Sequence, residues 1–196
     1  MTKIAIVYHS GNGHTQRQAE AVKAGAESVA GAEVSFLEVG EAAQQLEFLD
    51  TVDAIIFGCP TYMGNVSAGM KAFQEAAVSR WFNRAWQNKI AGAFTNACNL
   101  DGDKMTTLIG LFVNAMQQGM IFVGLNQAPG YNEENALTRA DGPSANAINR
   151  LDASIGAMSS SGLRSVEEMS AGDLESARLY GVRVAEITAQ FVRGRA

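Results

Sequence analysis

Residues 4–15 read Ile-Ala-Ile-Val-Tyr-His-Ser-Gly-Asn-Gly-His-Thr. A short unbroken apolar run gives way at once to a cluster of turn formers. That pattern predicts a strand buried on both faces and then a tight turn. Beyond the turn, Ala19, Val22, Ala26 and Val29 recur at spacings of three and four, the period of a helix with one buried stripe. Gly31 stands where such a helix stops. Strand, turn and helix together form the opening unit of a parallel α/β sheet.

The unit repeats along the chain. Val34–Leu37 predicts a second strand and Glu41–Leu49 a short helix. Ala54–Gly58 predicts a third strand, followed by a helix that Ser67 caps and that carries Met70, Phe73 and Ala77. Ile90–Phe94 is the fourth strand, Met105–Gln118 a helix and Met120–Val123 the fifth strand. The last helix spans Gly172–Val192, with Leu174, Ala177, Tyr180, Val184 and Ile187 on one stripe, and Met105, Met116 and Met120 read as core. The expected fold class is α/β: a doubly wound, five-stranded parallel sheet, order 2-1-3-4-5, with helices on both faces. A single domain is expected over residues 1–196, with a long loop insertion at about 126–162. That stretch is rich in Asn, Ala, Ser and Gly and falls outside the cycle. Loops of this length are functional or are ordered by a partner.

Composition narrows the function classes. Charged residues make up 18% of the 196 and hydrophobic ones 47%, which is globular. A formal net charge of −5 without any Lys/Arg run argues against nucleic acid as a partner. No apolar run suits membrane insertion, and the first residues lack a signal-peptide pattern, so a cytoplasmic location is expected. Two cysteines, Cys59 and Cys98, make no disulfide framework. Cys59 reads as a buried filler, whereas Cys98 faces the expected crevice. No metal site is expected, because His9 and His14 lack acidic neighbours and Asp101 and Asp103 are too few.

Three loops carry the chemistry. Ser10, Gly11, Asn12, Gly13, His14 and Thr15 join the first strand to the first helix. Amides at such a helix start bind an anion, although an ordinary strand-to-helix turn has the same composition. Ser10 and Thr15 would add hydroxyls, Gly11 and Gly13 would permit positive φ and close approach, and His14 would face the ligand or cap the helix. The missing lysine and the missing GxGxxG spacing disfavour nucleotide hydrolysis and dinucleotide binding. Pro60, Thr61, Tyr62, Met63, Gly64 and Asn65 follow the third strand, and Thr95, Asn96, Ala97, Cys98 and Asn99 follow the fourth. Ligands of doubly wound sheets bind outside the carboxyl ends of the strands, so the three loops form one crevice.

Ser10–Thr15 is similar to the FMN phosphate loop of flavodoxin-like oxidoreductases. Pro60–Asn65 resembles the Pro-Thr-Arg-Phe-Gly-Asn loop of the WrbA-type NAD(P)H:quinone oxidoreductases. Phe94-Thr95-Asn96, Thr106-Thr107-Leu108, Gly119-Met120 and Glu175–Gly181 also resemble that family. The resemblance spans nearly the whole chain. It implies a flavodoxin-like fold, FMN as cofactor, NADH or NADPH as electron donor and a small quinone-like acceptor, with hydride passed in a ping-pong scheme. The flavin carries the chemistry, so no side chain is named catalytic. The amides of Gly64 and Asn65 would meet N5 and O4, the Thr95–Asn96 loop would meet O2 and N1, and Tyr62 or Met63 would pack along the ring. By the same resemblance Trp81 belongs to the substrate pocket, approaching the flavin of a neighbouring subunit in a homotetramer or dimer. The chain departs from the family at residues 97–103, where the family has a glycine-rich loop with a histidine. It departs again at Gln117 and Gln118, where the family has histidines. The alternatives are a flavodoxin-type electron carrier and a flavin-binding regulatory protein with weak reductase activity.

Overall fold

The computed structural model describes residues 1–195. Strand β1 (Thr2–Tyr8) pairs in parallel with β2 (Ala32–Glu38) on one side and β3 (Ala54–Tyr62) on the other. β3 pairs in turn with β5 (Ile90–Ala97), and it also carries the short antiparallel strand β4 (Asn65–Val66). The outer edge of β5 holds two separate pieces, β6 (Ile121–Phe122) and β7 (Ala157–Ser160), both parallel. The five parallel positions follow the expected order, but the sheet has seven strands, because the fifth position is split and β4 is added.

The split corrects the reading of 126–162 as a single loop. Residues 157–160 return to the sheet and complete the strand that β6 begins. At the break, the Tyr180 hydroxyl stands in for a ladder bond. It accepts from Ala93 N at 3.0 Å and donates to Val123 O at 2.6 Å. The insertion is held by its own chain. Arg150 makes a two-pronged ion pair with the buried Asp173, at 2.8 Å on each oxygen, and Ser160 N donates to the same carboxylate. Ala147 and Ile148, within the insertion, are buried.

Helices α1 (His14–Glu27) and α7 (Ala171–Arg195) cover one face. Ile4, Ile6, Ile56, Ile90 and Phe94 point toward them. α1 and α7 pack so closely that a Cβ on Gly25 would lie 1.8 Å from Arg178 O, and one on Gly181 would lie 2.0 Å from Val22 O. The other face holds α2 (Val39–Gln44), α3 (Leu46–Leu49), α4 (Ala68–Ala76), α5 (Val78–Phe82) and α6 (Lys104–Gln117). There Ala5, Val7, Ile55, Phe57, Ala91 and Ala93 meet Met70, Phe73, Leu108 and Leu111. Alternate residues of each inner strand thus feed two cores, which is why the middle of each strand reads as an unbroken apolar run.

Some local expectations shift. Gln45 breaks the expected 41–49 helix into α2 and α3. Ser67 occupies the N-cap of α4, yet its hydroxyl pairs with His9 Nδ1 at 2.8 Å instead of capping. Trp86 is fully buried against Phe57 and Phe73, with Nε1 donating to Asp50 at 2.9 Å. Met120 is core, whereas Met105 and Met116 are exposed on α6.

Candidate functional site

The carboxyl ends of β1, β3, β5 and β7 surround a cleft of about 330 Å³, at the point where the chain switches from β1–β2 to β3. Small-molecule pockets occupy about 300–1,000 Å³. From the first loop, Asn12, His14 and Thr15 line it. Ser10 shapes that loop from behind, its hydroxyl oxygen accepting from Gly13 N at 3.1 Å and Gln16 N at 3.2 Å. Gly13 adopts φ +86°, which favours glycine. Gly11 needs no positive φ. The Tyr62 ring crosses it: a Cβ there would lie 2.3 Å from the Tyr62 hydroxyl, which would have to shift. His14 Nε2 is 2.9 Å from Arg164 O, so its ring ties this loop to the segment after β7.

Pro60, Thr61 and Tyr62 supply the second wall. Tyr62 Oη accepts from Asn12 Nδ2 at 3.4 Å, which closes the second loop over the first. Met63 and Gly64, at φ 49° and 79°, form the two-residue hairpin between β3 and β4. They and Asn65 stand outside the cleft lining, with Met63 fully exposed. Asn96, Ala97 and Cys98 form the third wall, while Thr95 and Asn99 do not line it. The Thr95 hydroxyl is buried, linked to Thr61 Oγ1 at 2.9 Å and to Cys59 O at 2.7 Å. Thr61 also donates to Thr107 at 2.8 Å. This hydroxyl chain locks the ends of β3 and β5 to α6.

The fourth wall is Ser161, Gly162, Leu163 and Arg164; the sequence reading left the first two at the end of the 126–162 loop and gave the last two no role. Its only signal was a Ser/Gly-rich stretch preceding the last helix. Asn96 binds it on both sides of its amide, to Ser159 and Ser161. The Arg164 guanidinium is held by the carbonyls of Ser160 and Ser161. A second unforeseen residue lies behind the third wall. Lys104 is 1% exposed and donates to the carbonyls of Asn99, Leu100 and Asp101, each at 2.7 Å. Burial lowers its pKa from the ordinary lysine value to about 8, against the opposing pull of Asp173 and Asp101. Burial also raises the Cys59 thiol to about 11, so Cys59 is an inert filler, whereas Cys98 is exposed.

The donor set fits the phosphate and ring of FMN. No carboxylate lines the cleft among the described residues, and Arg164 is its one permanent charge. The amides of Asn12, His14 and Thr15 have no acceptor among the described residues and sit at the start of α1. Such amides with a helix dipole behind them suit a phosphate dianion. Tyr62 from the second loop and Ala97 and Cys98 from the third line the same cleft. Among the described residues, no group of three metal-ligating side chains gathers anywhere.

Trp81 does not line this cleft. α4 runs back from the carboxyl ends of the strands, and α5 follows it, just before β5 begins. Trp81 therefore lies toward the amino ends of the strands, in a groove with Val78, Asn114 and Gln117, edge-on to Phe82.

Comparison with known proteins agrees with this geometry. The family model described as NADPH-dependent FMN reductase matches residues 43–128. A protein of Pseudomonas aeruginosa called flavodoxin FldP is 42% identical over 191 residues, covering 97% of this chain and 98% of its own length. An NAD(P)H dehydrogenase (quinone) of Aromatoleum aromaticum is 32% identical over 216 residues, covering 99% of both chains. The crystal structure of a WrbA-like flavodoxin from Agrobacterium tumefaciens aligns with a TM-score of 0.73 at 39% identity, covering 97% of this chain and 99% of that one. With the cleft, the fold and these full-length relatives in agreement, the chain belongs to the flavodoxin-like family of WrbA-type NAD(P)H dehydrogenases (quinone).

Proposed function

We propose that this protein is an FMN-dependent oxidoreductase that takes hydride from NADH or NADPH and passes electrons to a quinone-like acceptor. The observation that supports it most is the carboxylate-free cleft at the switch point, lined by unpartnered amides of the first loop and by Tyr62, Ala97 and Cys98 of the other two. When bound, FMN supplies the hydride chemistry, and the protein binds, orients and tunes it. In this reading Asn12, His14 and Thr15 hold the phosphate, with Ser10, Gly11 and Gly13 shaping their loop. Pro60, Thr61, Tyr62 and the Asn96–Cys98 wall flank the ring, with Met63, Gly64, Asn65, Thr95 and Asn99 supporting those walls. Tyr62 and Leu163 line the cleft and stay exposed, an apolar border that suits an apolar planar acceptor. Nicotinamide and acceptor use that one opening in turn, hence a ping-pong order. The test is steady-state oxidation of NADH and of NADPH by reconstituted protein with a water-soluble benzoquinone. Parallel lines in double-reciprocal plots are expected, and absence of quinone-dependent turnover counts against the reading.

The carrier reading has its own support. Exposed Asp101, Asp103, Glu167 and Glu168 flank the cleft, although the stretch from Pro60 to Lys89 holds one acid, Glu75. Acidic rims steer basic redox partners. A homo-oligomer, a tetramer by family resemblance, is also part of the proposal. Met105, Ile109, Val113 and Met116 make an exposed apolar stripe along α6, beside Val78, Trp81 and Phe82. A partner covering that stripe would place Trp81 against another copy. No helix among the described residues is long and apolar enough to cross a membrane.

A further inference from the structure

The loop from Cys98 to Asp103 is exposed and poor in bonds of its own. Its backbone is tied to the rest of the chain at Cys98, whose carbonyl accepts from Gly162 N and Ser160 Oγ. Beyond Cys98 the carbonyls of Asn99, Leu100 and Asp101 turn inward and converge on the Lys104 ammonium. An ammonium has three N–H donors, and all three are spent here. The lysine thus does for this loop what a bound cation does for a carbonyl nest. The same loop begins with Ala97 and Cys98, the third wall of the cleft.

We infer that Lys104 is a positioning residue for the cofactor: its buried ammonium gathers the 99–101 carbonyls and so holds the Ala97–Cys98 wall against bound FMN. The inference rests on the reading of the cleft as the flavin site. Four other charged groups face this lysine: Asp101 and Asp103 from the loop, Asp173 from α7 and Arg150 from the insertion. Arg150 and Asp173 satisfy one another, which leaves the loop carbonyls to Lys104.

Charge on Lys104 then sets the order of the wall. With the group lowered to about 8, the folded protein holds a neutral amine above that pH while the unfolded chain still holds an ammonium. The folded state binds one proton fewer, so this group makes global stability rise with pH across that window. Wall order moves the other way, since a neutral amine donates two bonds and leaves one carbonyl unserved. Falling flavin affinity with level or rising stability is a signature that general alkaline unfolding does not produce.

The test is fluorescence titration of apo-protein with FMN below and above pH 8, with stability followed in parallel by urea melts. The variants are Lys104→Met and, as control, Lys89→Met. Lys89 is also buried on carbonyls, those of Asp50 and Val52, but at the amino ends of the strands, away from the cleft. The parent should bind more weakly above pH 8. Lys104→Met should bind about tenfold or more weakly at every pH, the scale of a lost charged hydrogen bond, with no further fall. Lys89→Met should keep the parent's affinity and its fall. A folded Lys104→Met with the parent's affinity, or one that keeps the parent's fall, overturns the inference. If Lys104→Met does not fold, 15N spectra of the apo parent and Lys89→Met decide. Amides of residues 98–103 moving together with one midpoint near 8 support the inference, and unmoved amides overturn it. Failure of the flavin-site reading looks different: FMN affinity survives a charge placed at Thr15, while the apo amides still report the lysine.

Discussion

Thr15 lies in the first turn of α1, 2% exposed, with its amide free of protein acceptors among the described residues. A carboxylate here would take the free amides for itself and complement the helix dipole. Thr15→Asp should therefore leave the apo-protein folded while excluding phosphate. The loss of FMN affinity should exceed roughly 1.5–3 kcal/mol, the worth of a charged hydrogen bond, because repulsion adds to it. Fluorescence titration checks this, and an unchanged affinity would move the phosphate elsewhere. Residue identity in this loop was readable from sequence because glycines and hydroxyls between a strand and a helix have few other uses. Lys104 was not readable. A lysine after Asp-Gly-Asp looks like a solvated helix start, and only the fold turns three carbonyls onto it. Positive φ was expected at Gly11 and is absent; the close approach there is to Tyr62, which the sequence did not place beside it.

Among the elements, the three inner strands β1, β3 and β5 were legible because burial on both faces writes a continuous apolar run. β7 was not. Ala-Met-Ser-Ser has no β-branched residue and borrows its strand character from β5 and α7. The fourth wall of the cleft follows β7 directly, so missing one meant missing both. The split in the fifth strand makes Tyr180 a test of this architecture. Tyr180→Phe keeps the packing but leaves Ala93 N and Val123 O without their shared partner. A loss of about 1–3 kcal/mol is expected, the cost of unsatisfied buried groups. A shift in urea midpoint without a change in slope would report it, and an unaltered midpoint would mean the break is bridged otherwise.

Over the whole molecule, two surfaces are apolar without being core. One is the rim of the cleft, and the other is the α6 stripe with Val78, Trp81 and Phe82. The first suits a small planar acceptor, the second another copy of the chain. Multi-angle light scattering at micromolar concentration should therefore give an oligomer, and Val113→Glu should dissociate it without unfolding the subunit. A monomeric parent would remove the role proposed for Trp81. The sequence showed two tryptophans in one polar segment without separating them. Trp86 turned inward to Phe57 and Phe73, while Trp81 stayed at the surface.

The central claim is that the cleft presents a flavin to nicotinamide for two-electron reduction. Anaerobic stopped-flow mixing of the FMN-loaded protein with NADH and with NADPH tests it most directly. The account predicts that the flavin absorbance bleaches within seconds with at least one of them, straight to the fully reduced form, and returns on adding quinone. No bleaching by either nicotinamide, with dithionite producing a long-lived one-electron-reduced flavin, would contradict it and assign the protein to electron carriage.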